Sequence, residues 1–426
     1  MDSFQDLFDE AKKVLYGNLK VGYSRWANDT YKHISPSRTH YVHQWFWDSC
    51  FHAIVLSHFD VELAKNEIRS LLKVQKESGF IPHVVYWGAT KFRRPLAGVG
   101  AMLESGFSFF PKTTDMIQPP LIAQSVEAIY EKEKDAAFLQ EVVPKIKAYY
   151  SWLAENRDPD GDGLISIIAP YESGLDQSPS FDPVLGVHNR HALLMALAGR
   201  KITFKNMLRN YNLEKIFADD YFSVEDVLVN SIYIFNLKVL INLLNKIDRE
   251  HDARYFLQKY NLAKNSLLEK CFDREKKIFF DLYSKEEKMS KVLTIKSLMP
   301  LILDIDKKYI NILVKDHLLN TQEFNPPYPV PTVALNEPTF LPSPPIIAAE
   351  PIIWRGPTWI NTNWYLVKGL RKHGFEKEAK NLVEKSVDLI KKSGYREFFN
   401  PFTGEGYGAK DFGWSTLIID MVLENR

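Results

Sequence analysis

Cysteine is nearly absent: the 426-residue chain has two, Cys50 and Cys271, too few for a disulfide framework and in keeping with a reducing compartment. Excess charge of either sign is missing as well. The net charge is +1 and the isoelectric point about 7.7, so no global field draws the chain to nucleic acid or to an anionic membrane surface. No apolar run approaches the length of a bilayer span, and the opening "MDSFQDLFDEAKKVLYGNL" is acidic and helically spaced, without the apolar centre of a secretory leader. These absences fit a cytoplasmic protein with no membrane or nucleic-acid partner, and they leave homo-oligomerisation open. H-E-x-x-H, Walker and G-x-S-x-G patterns are missing. The glycine clusters at Gly98 and Gly404 follow no strand, so they are not dinucleotide fingerprints, and no cofactor is expected.

Aromatic residues are abundant, at 13% of the chain, and seven of the nine tryptophans lie in turn-rich stretches: Trp45, Trp47, Trp87, Trp354, Trp359, Trp364 and Trp414. Such faces suit a sugar, although a large core also absorbs them. Apolar residues otherwise recur at helical spacing in about a dozen segments, with a break near Lys134 and a stop at Gly79. "GFIPHVVYWG", "DGDGLISIIAPY", "EKKIFFDLYS" and "GYREFFNPFTGEGYG" echo one another as helix-to-turn passages at irregular spacing. Helical hairpins closed into a ring explain both the echo and the irregularity. The expected fold is all-α, an (α/α)6 barrel with long loops over one face; an open α-solenoid is the competing architecture. Residues 321–357 hold ten prolines but also Phe324, Tyr328, Phe340, Ile346 and Trp354, too apolar for a solvated linker. We therefore expect an ordered loop and one domain over 1–426.

Four segments could carry chemistry. In "YVHQWFWDSCFHAI", Trp45, Trp47 and Asp48 arrive as a helix begins; they form a capped helix with a buried tryptophan pair, or a sugar platform with a carboxylate for hydroxyls. In "RDPDGDGLISIIAPYESGLDQSP", Asp158, Asp160 and Asp162 mimic half a calcium loop, yet Ala169 stands where the twelfth-position glutamate belongs, which favours an Asx turn. Glu172 and Asp176 follow beside Gly174, and either decorate a turn or include a proton donor. In "IIWRGPTWINTNWYL", Pro357 suits a first helical position, leaving Trp354 and Arg355 in the preceding loop. In "NPFTGEGYGAKDFGWST", Glu405 sits between glycines and Asp411 opens a helix. His40 with His43, and His188 with His191, have a metal-compatible spacing but lack a third ligand, so no metal site is assigned.

Taken together and in order, "HQWFWDSCFHA", "DPDGDGL…ESGLDQSP", "WRGPTWINTNW" and "NPFTGEGYGAKDFGWS" resemble glycoside hydrolase family 63, inverting α-glycosidases built on an (α/α)6 barrel. The resemblance runs from about Tyr41 to the end of the chain. The short length is similar to the barrel-only members, among them the mannosylglycerate and glucosylglycerate hydrolases. It implies that Asp176, the aspartate of "SGLDQSP", is the general acid, and that Glu405, the glutamate of "TGEG", is the general base. Asp176 then needs a raised pKa, and Glu405 must stay ionised within reach of a water. By the same resemblance Trp45, Trp47, Asp48, Gln118, Tyr171, Glu172, Gly174, Arg355 and Trp359 are expected to bind a small carbohydrate substrate.

A glycerate aglycone calls for a cationic pocket, and "KFRRP", with Lys91, Arg93 and Arg94, offers one. A neutral pocket would instead indicate an α-glucosidase or a trehalase-like hydrolase on the same barrel. A sugar epimerase would use histidine bases, and only His43 and His52 fall in the four segments. A non-catalytic helical scaffold gives Asp176 and Glu405 no reason to converge.

Overall fold

Lys134 ends the helix Ile122–Glu133 in the left-handed conformation, and Asp135 caps the next helix, Ala136–Asn156, by accepting from the Phe138 N–H at 3.0 Å. Turns of this kind join antiparallel neighbours throughout the computed structural model, which describes residues 4–88, 95–187, 192–343, 346–347, 350–351 and 353–423. Six elements form an inner ring: Phe46–Leu56, Ile122–Glu133, Val227–Lys246, Ile295–Ile302, Ile360–Lys372 and 413–423. Each packs on the next, and the last returns to the first. The helices Val61–Lys73, Ala136–Asn156, Glu250–Lys270, 307–318 and Glu376–Ser393 stand outside their inner partners, and Phe4–Gly17 backs the sixth. This closed double ring is the (α/α)6 barrel, and its closure excludes the open solenoid.

Burial explains the two kinds of helix. Every residue of Phe46–Leu56 is buried, Asp48, Ser49 and His52 included, whereas Glu376–Ser393 buries only Ala379, Leu382, Val383, Ser386, Leu389 and Ile390, one face at three- and four-residue steps. Val227–Lys246 is long and apolar enough to cross a membrane, but 78% of that window is buried in the barrel. The helix beginning at Val61 stops at Lys73, short of Gly79, because Lys76 and Gly79 close a separate turn that accepts no helical continuation. Ile295–Ile302 is a 3-10 helix rather than an α-helix, with Pro300 inside it. Pro357 lies outside the helix it was expected to open; Trp359 occupies the N-cap, and Thr358 pairs with Phe399 instead.

The strands are short and sit where helices turn. Val84–Val85, Ile278–Phe279, Leu282–Tyr283 and the hairpin Arg396–Phe399 with Gly406–Lys410 fall in three of the four echoing passages, and "DGDGLISIIAPY" holds only the isolated bridge from Ile167 to Val224. The described residues of the proline-rich stretch are tied to the barrel. Val330 exchanges hydrogen bonds with the Asn363 side chain at 2.9 Å, the Thr332 N–H donates to Pro357 O at 3.1 Å, and Tyr328 N–H donates to Pro401 O at 3.1 Å. Phe324, Val333 and Ala334 beneath it are fully buried.

Candidate active site

The helix Ala136–Asn156 delivers Arg157 to a buried carboxylate. Arg157 Nη1 and Nη2 donate to Glu172 Oε2 and Oε1 at 2.7 and 2.6 Å, and both side chains are fully buried. The N–H groups of Ile117 and Ile168 donate to the same carboxylate at 2.9 and 2.8 Å. Glu172 is thus saturated by protein donors and is not the sugar ligand expected; it joins the Ile117 segment to the loop that carries Asp176. Gln118, next along, accepts from the Trp47 N–H at 3.0 Å and so fixes the start of helix Phe46–Leu56. Gly174 has φ +74°, and a Cβ there would lie 2.4 Å from Trp47 Cη2. Only glycine allows the indole to close on this loop.

Asp176 is half-buried two residues on. Burial first, then the charges of Glu104 and Glu397, raise its pKa to about 7 against the opposing Arg200. Glu104 and Arg200 are themselves paired at 2.9 Å, and the guanidinium lies 5.2 Å from the Tyr171 ring centre. The loop beyond is held on two sides. Arg355, 1% exposed, donates to Gln177 O at 3.1 Å and to Asp182 Oδ1, while Ile353 N–H donates to Gln177 Oε1 at 3.0 Å. Buried Lys296 donates to Ser180 Oγ at 2.9 Å and pairs with Asp226 and Asp281. Arg355 therefore anchors the acid-bearing loop.

Opposite stands Glu397 rather than Glu405. Glu397 is 5% exposed and accepts from the Tyr41 hydroxyl at 3.0 Å and the Ala409 N–H at 2.8 Å. Its position comes from a bulge: Arg396 pairs with Lys410 and Phe398 with Tyr407, so Gly408 and Ala409 together face Glu397. Gly408 has φ +67°, and a Cβ there would lie 2.4 Å from Glu397 Oε2. A glycine bulge of this kind re-aims one side chain and bends the strand. Burial raises the Glu397 pKa to about 7, while the Ala409 N–H, the Tyr41 hydroxyl and Arg396 all favour its charged form. Glu405 lies at the exposed tip of the same hairpin, where its backbone carbonyl accepts from Asn400 N–H and its carboxylate from the Tyr407 hydroxyl at 2.9 Å. The general-base role expected of Glu405 does not fit that place.

Asp48 completes the anionic group. Burial, then the Glu397 charge, push its pKa well up, and the Tyr41 hydroxyl responds to Glu397, Asp176 and Asp48 alike. Asp48 Oδ1, Trp45 Nε1 and Trp414 Nε1 are buried without a hydrogen-bond partner among the described residues. Each costs about 1–3 kcal/mol while it stays unpaired. Trp47 packs edge-on to Trp414 at 5.2 Å and forms the wall between acid loop and base hairpin. Trp359 is fully buried, stacked on Trp354 at 3.6 Å and against Phe398 at 4.9 Å; it supports this wall and offers no open face to a sugar.

Of the expected residues, Asp176, Trp45, Trp47, Asp48, Gln118 and Gly174 gather here; Glu172, Arg355 and Trp359 hold the frame, and Tyr171 packs by Arg200. Glu397, Tyr41 and Trp414 were not singled out from sequence. A signal for Glu397 exists, a carboxylate inside the apolar run "YREFF", where a charge is costlier than between glycines. Lys91, Arg93, Arg94, His188 and His191 lie outside the described residues. His40 is exposed and His43 packs on the Tyr86 ring at 4.8 Å.

A half-buried Asp176 and a buried Glu397 whose charge acts on it, beside Trp47 and Trp414 on an (α/α)6 barrel, are what a glycoside hydrolase needs. Residues 41–415 match the family model of the mannosylglycerate hydrolase MGH1-like glycoside hydrolase domain, and the chain belongs to that family. It is 28% identical to the mannosylglycerate hydrolase of Rubrobacter radiotolerans over 99% of this chain and 97% of that protein. With the glucosylglycerate hydrolase of Mycolicibacterium hassiacum it shares 23% identity, covering 89% and 91%. The crystal structure of the family 63 mannosylglycerate hydrolase from Thermus thermophilus with Tris and D-glycerate superposes with a TM-score of 0.83, at 26% identity, covering 99% of this chain and all of that one.

Proposed function

We infer that the enzyme hydrolyses a small α-linked hexosylglycerate, a mannosyl- or glucosylglycerate, with inversion, using Asp176 as general acid and Glu397 as general base. The observation that carries the reading is the asymmetry of the two carboxyls. The Tyr41 hydroxyl and the Ala409 N–H donate to Glu397 and favour its anion, as a base needs, whereas burial and the neighbouring charge of Glu104 favour the protonated form of Asp176 against the pull of Arg200, as an acid needs.

In the reaction, Asp176 gives its proton to the glycosidic oxygen as the bond breaks. Glu397, oriented by Tyr41 and Ala409, takes a proton from the water that attacks the opposite face of the sugar. Asp48, Trp45 and Trp414 accept and donate hydrogen bonds to hexose hydroxyls, and Trp47 packs on the ring edge. The leaving glycerate lies on the Asp176 side, where the charge of Arg200 acts on the acid.

The test is release of free hexose from mannosylglycerate, glucosylglycerate and neutral α-linked disaccharides, with D176A and E397A as controls. Activity on the glycerates that both substitutions abolish is the expected result. Turnover of neutral disaccharides alone would keep the carboxyl pair and remove glycerate from the assignment.

A further inference from the structure

Asp176 stands at the second position of a tight turn, in which the Ser178 N–H donates to Leu175 O at 2.8 Å. Burial, the charge of Glu104, its own backbone N–H and the charges of Arg200 and Glu397 act on the carboxyl, but no side chain among the described residues hydrogen-bonds to it. Its aim is therefore set by the backbone of the turn, and the turn by what holds its ends. At the entry the bonds are local: Ser173 Oγ accepts from the Leu175 N–H at 2.9 Å and donates to Pro170 O at 2.7 Å. At the exit a second turn follows, with the Phe181 N–H donating to Ser178 O at 3.1 Å, and Ser290 Oγ donates to Ser180 O at 2.6 Å.

Lys296 meets that exit. It is the second residue of the inner helix Ile295–Ile302 and is 1% exposed. Its ammonium donates to Ser180 Oγ at 2.9 Å, to Asp281 Oδ2 at 3.0 Å and to Asp226 Oδ2. Three N–H donors meet three acceptors, so the group is saturated. Nζ also lies over the Phe181 ring, 3.7 Å from its centre, where the ring face attracts a cation. The two aspartates tie the ammonium to a rigid element. Asp226 caps the helix Val227–Lys246 by accepting from the Val229 N–H at 3.0 Å, and Asp281 Oδ1 accepts from the Val227 N–H at 2.8 Å.

We propose that Lys296 is a positioning residue for the general acid: by holding Ser180 and Phe181 against the start of helix Val227–Lys246, it fixes the turn that aims Asp176 at the glycosidic oxygen. The inference rests on the reading of Asp176 as that acid. An ammonium taken out of water is costly, and a well-packed apolar side chain often serves stability as well. What the ammonium adds is direction, since one nitrogen joins the loop to the helix through three bonds. Slack at Ser180 displaces the Asp176 carboxyl, and proton transfer demands hydrogen-bond reach. Glu397 lies on a separate hairpin under the hold of Tyr41 and Ala409, so the base is spared.

That split can be read by changing the leaving group. In the α-fluoride of the hexose the enzyme releases, the C–F bond breaks and fluoride departs without a proton, while water attacks the carbon and gives its proton to Glu397. S180A removes the bond to the loop and keeps both ion pairs. It should lower kcat on the hexosylglycerate about tenfold or more, with KM and turnover of the fluoride within about twofold of wild type. K296M, which also releases Phe181, should show the same split at least as strongly, and S180A gives its answer whatever the stability of K296M. D176A is the reference: it should abolish turnover of the hexosylglycerate and retain turnover of the fluoride. With D176A behaving so, an S180A variant that matches wild type on both substrates, or loses both in equal measure, would overturn the proposal and leave the acid assignment standing. A D176A variant equally inactive on the fluoride would overturn the acid assignment itself.

Discussion

The Tyr41 hydroxyl donates to Glu397 Oε1 at 3.0 Å across 356 residues of chain, joining the start of the first inner helix to the last hairpin of the barrel. Ring closure is what allows this contact, and it orients the base and favours its anion together. Replacing Glu397 by Gln should lower kcat by about 10²–10⁴-fold, the range for loss of a general base. The same change at Glu405, on the exposed hairpin tip, should leave kcat within about twofold, since it removes only the bond to Tyr407 and surface substitutions of this kind act weakly. Steady-state hexose release by the two variants separates the candidates; a larger loss in E405Q would return the base role to Glu405.

The pH profile offers a test from both sides. Tyr41→Phe removes a bond to the charged form of Glu397, so the Glu397 pKa rises and the acidic limb of kcat/KM moves to higher pH. A hydrogen bond of about 0.5–1.5 kcal/mol, at 1.36 kcal/mol per unit, sets that move at roughly 0.4–1 unit. Glu104→Gln removes a negative charge that raises Asp176, so the alkaline limb moves to lower pH. The two variants should narrow the bell from opposite ends, and a shift of both limbs together in either one would show that the assignment of acid and base is wrong.

Gly408 tests the bulge. Alanine there would be strained at φ +67° and its Cβ would meet Glu397 Oε2. Gly408→Ala should cost at least tenfold in kcat/KM, with KM for substrate changed much less than kcat, because the displaced group acts on water rather than on the sugar. A fall confined to KM would place the bulge in substrate binding instead.

Much of the barrel was legible in the chain because helical periodicity survives even in its buried inner ring, and Lys134 with Asp135 mark a helix break that local chemistry dictates. Pro357 misled because a proline suits a first helical position equally well as a loop, and here Thr358 pairs with Phe399 instead of entering the helix. Asp176 was legible because "SGLDQSP" matches the family pattern, although Arg355 and Lys296, far along the chain, hold the loop in place. Glu397 was not, because its role comes from a bulge set by Gly408 on the partner strand and from a tyrosine at the other end of the chain. Glu172 and Arg355 read as ligands until their partners, Arg157 and Asp182, appeared beside them.

The Arg157–Glu172 pair should be among the costliest contacts to break. Glu172→Gln leaves a buried guanidinium uncompensated, a loss of about 3–5 kcal/mol. Urea unfolding of the single variant should show this loss, and the double change R157M/E172L should recover more than half of it. A single variant within about 1 kcal/mol of wild type would mean that water enters to solvate the charge.

Stability should peak in mildly acidic solution and fall on both sides. Burial depresses His33, His52 and His83 from 6.5 to about 3 and His43 to about 4, so below pH 6.5 the unfolded chain binds protons that the native state refuses, and stability is lost as pH falls. Burial raises Glu67 from 4.5 to about 8, Glu397 from 4.5 to about 7 and Asp176 from 3.8 to about 7; above those ordinary values the unfolded chain releases protons that the native state keeps, and stability is lost as pH rises. Between about pH 4.5 and 6.5 the two effects oppose each other, and outside that window one acts alone. Urea midpoints measured from pH 3.5 to 9 should therefore trace a plateau with two falling flanks. A midpoint that climbs steadily to pH 9 would show that the buried carboxyls are ionised in the native state, and with them Asp176, which could then not serve as the acid.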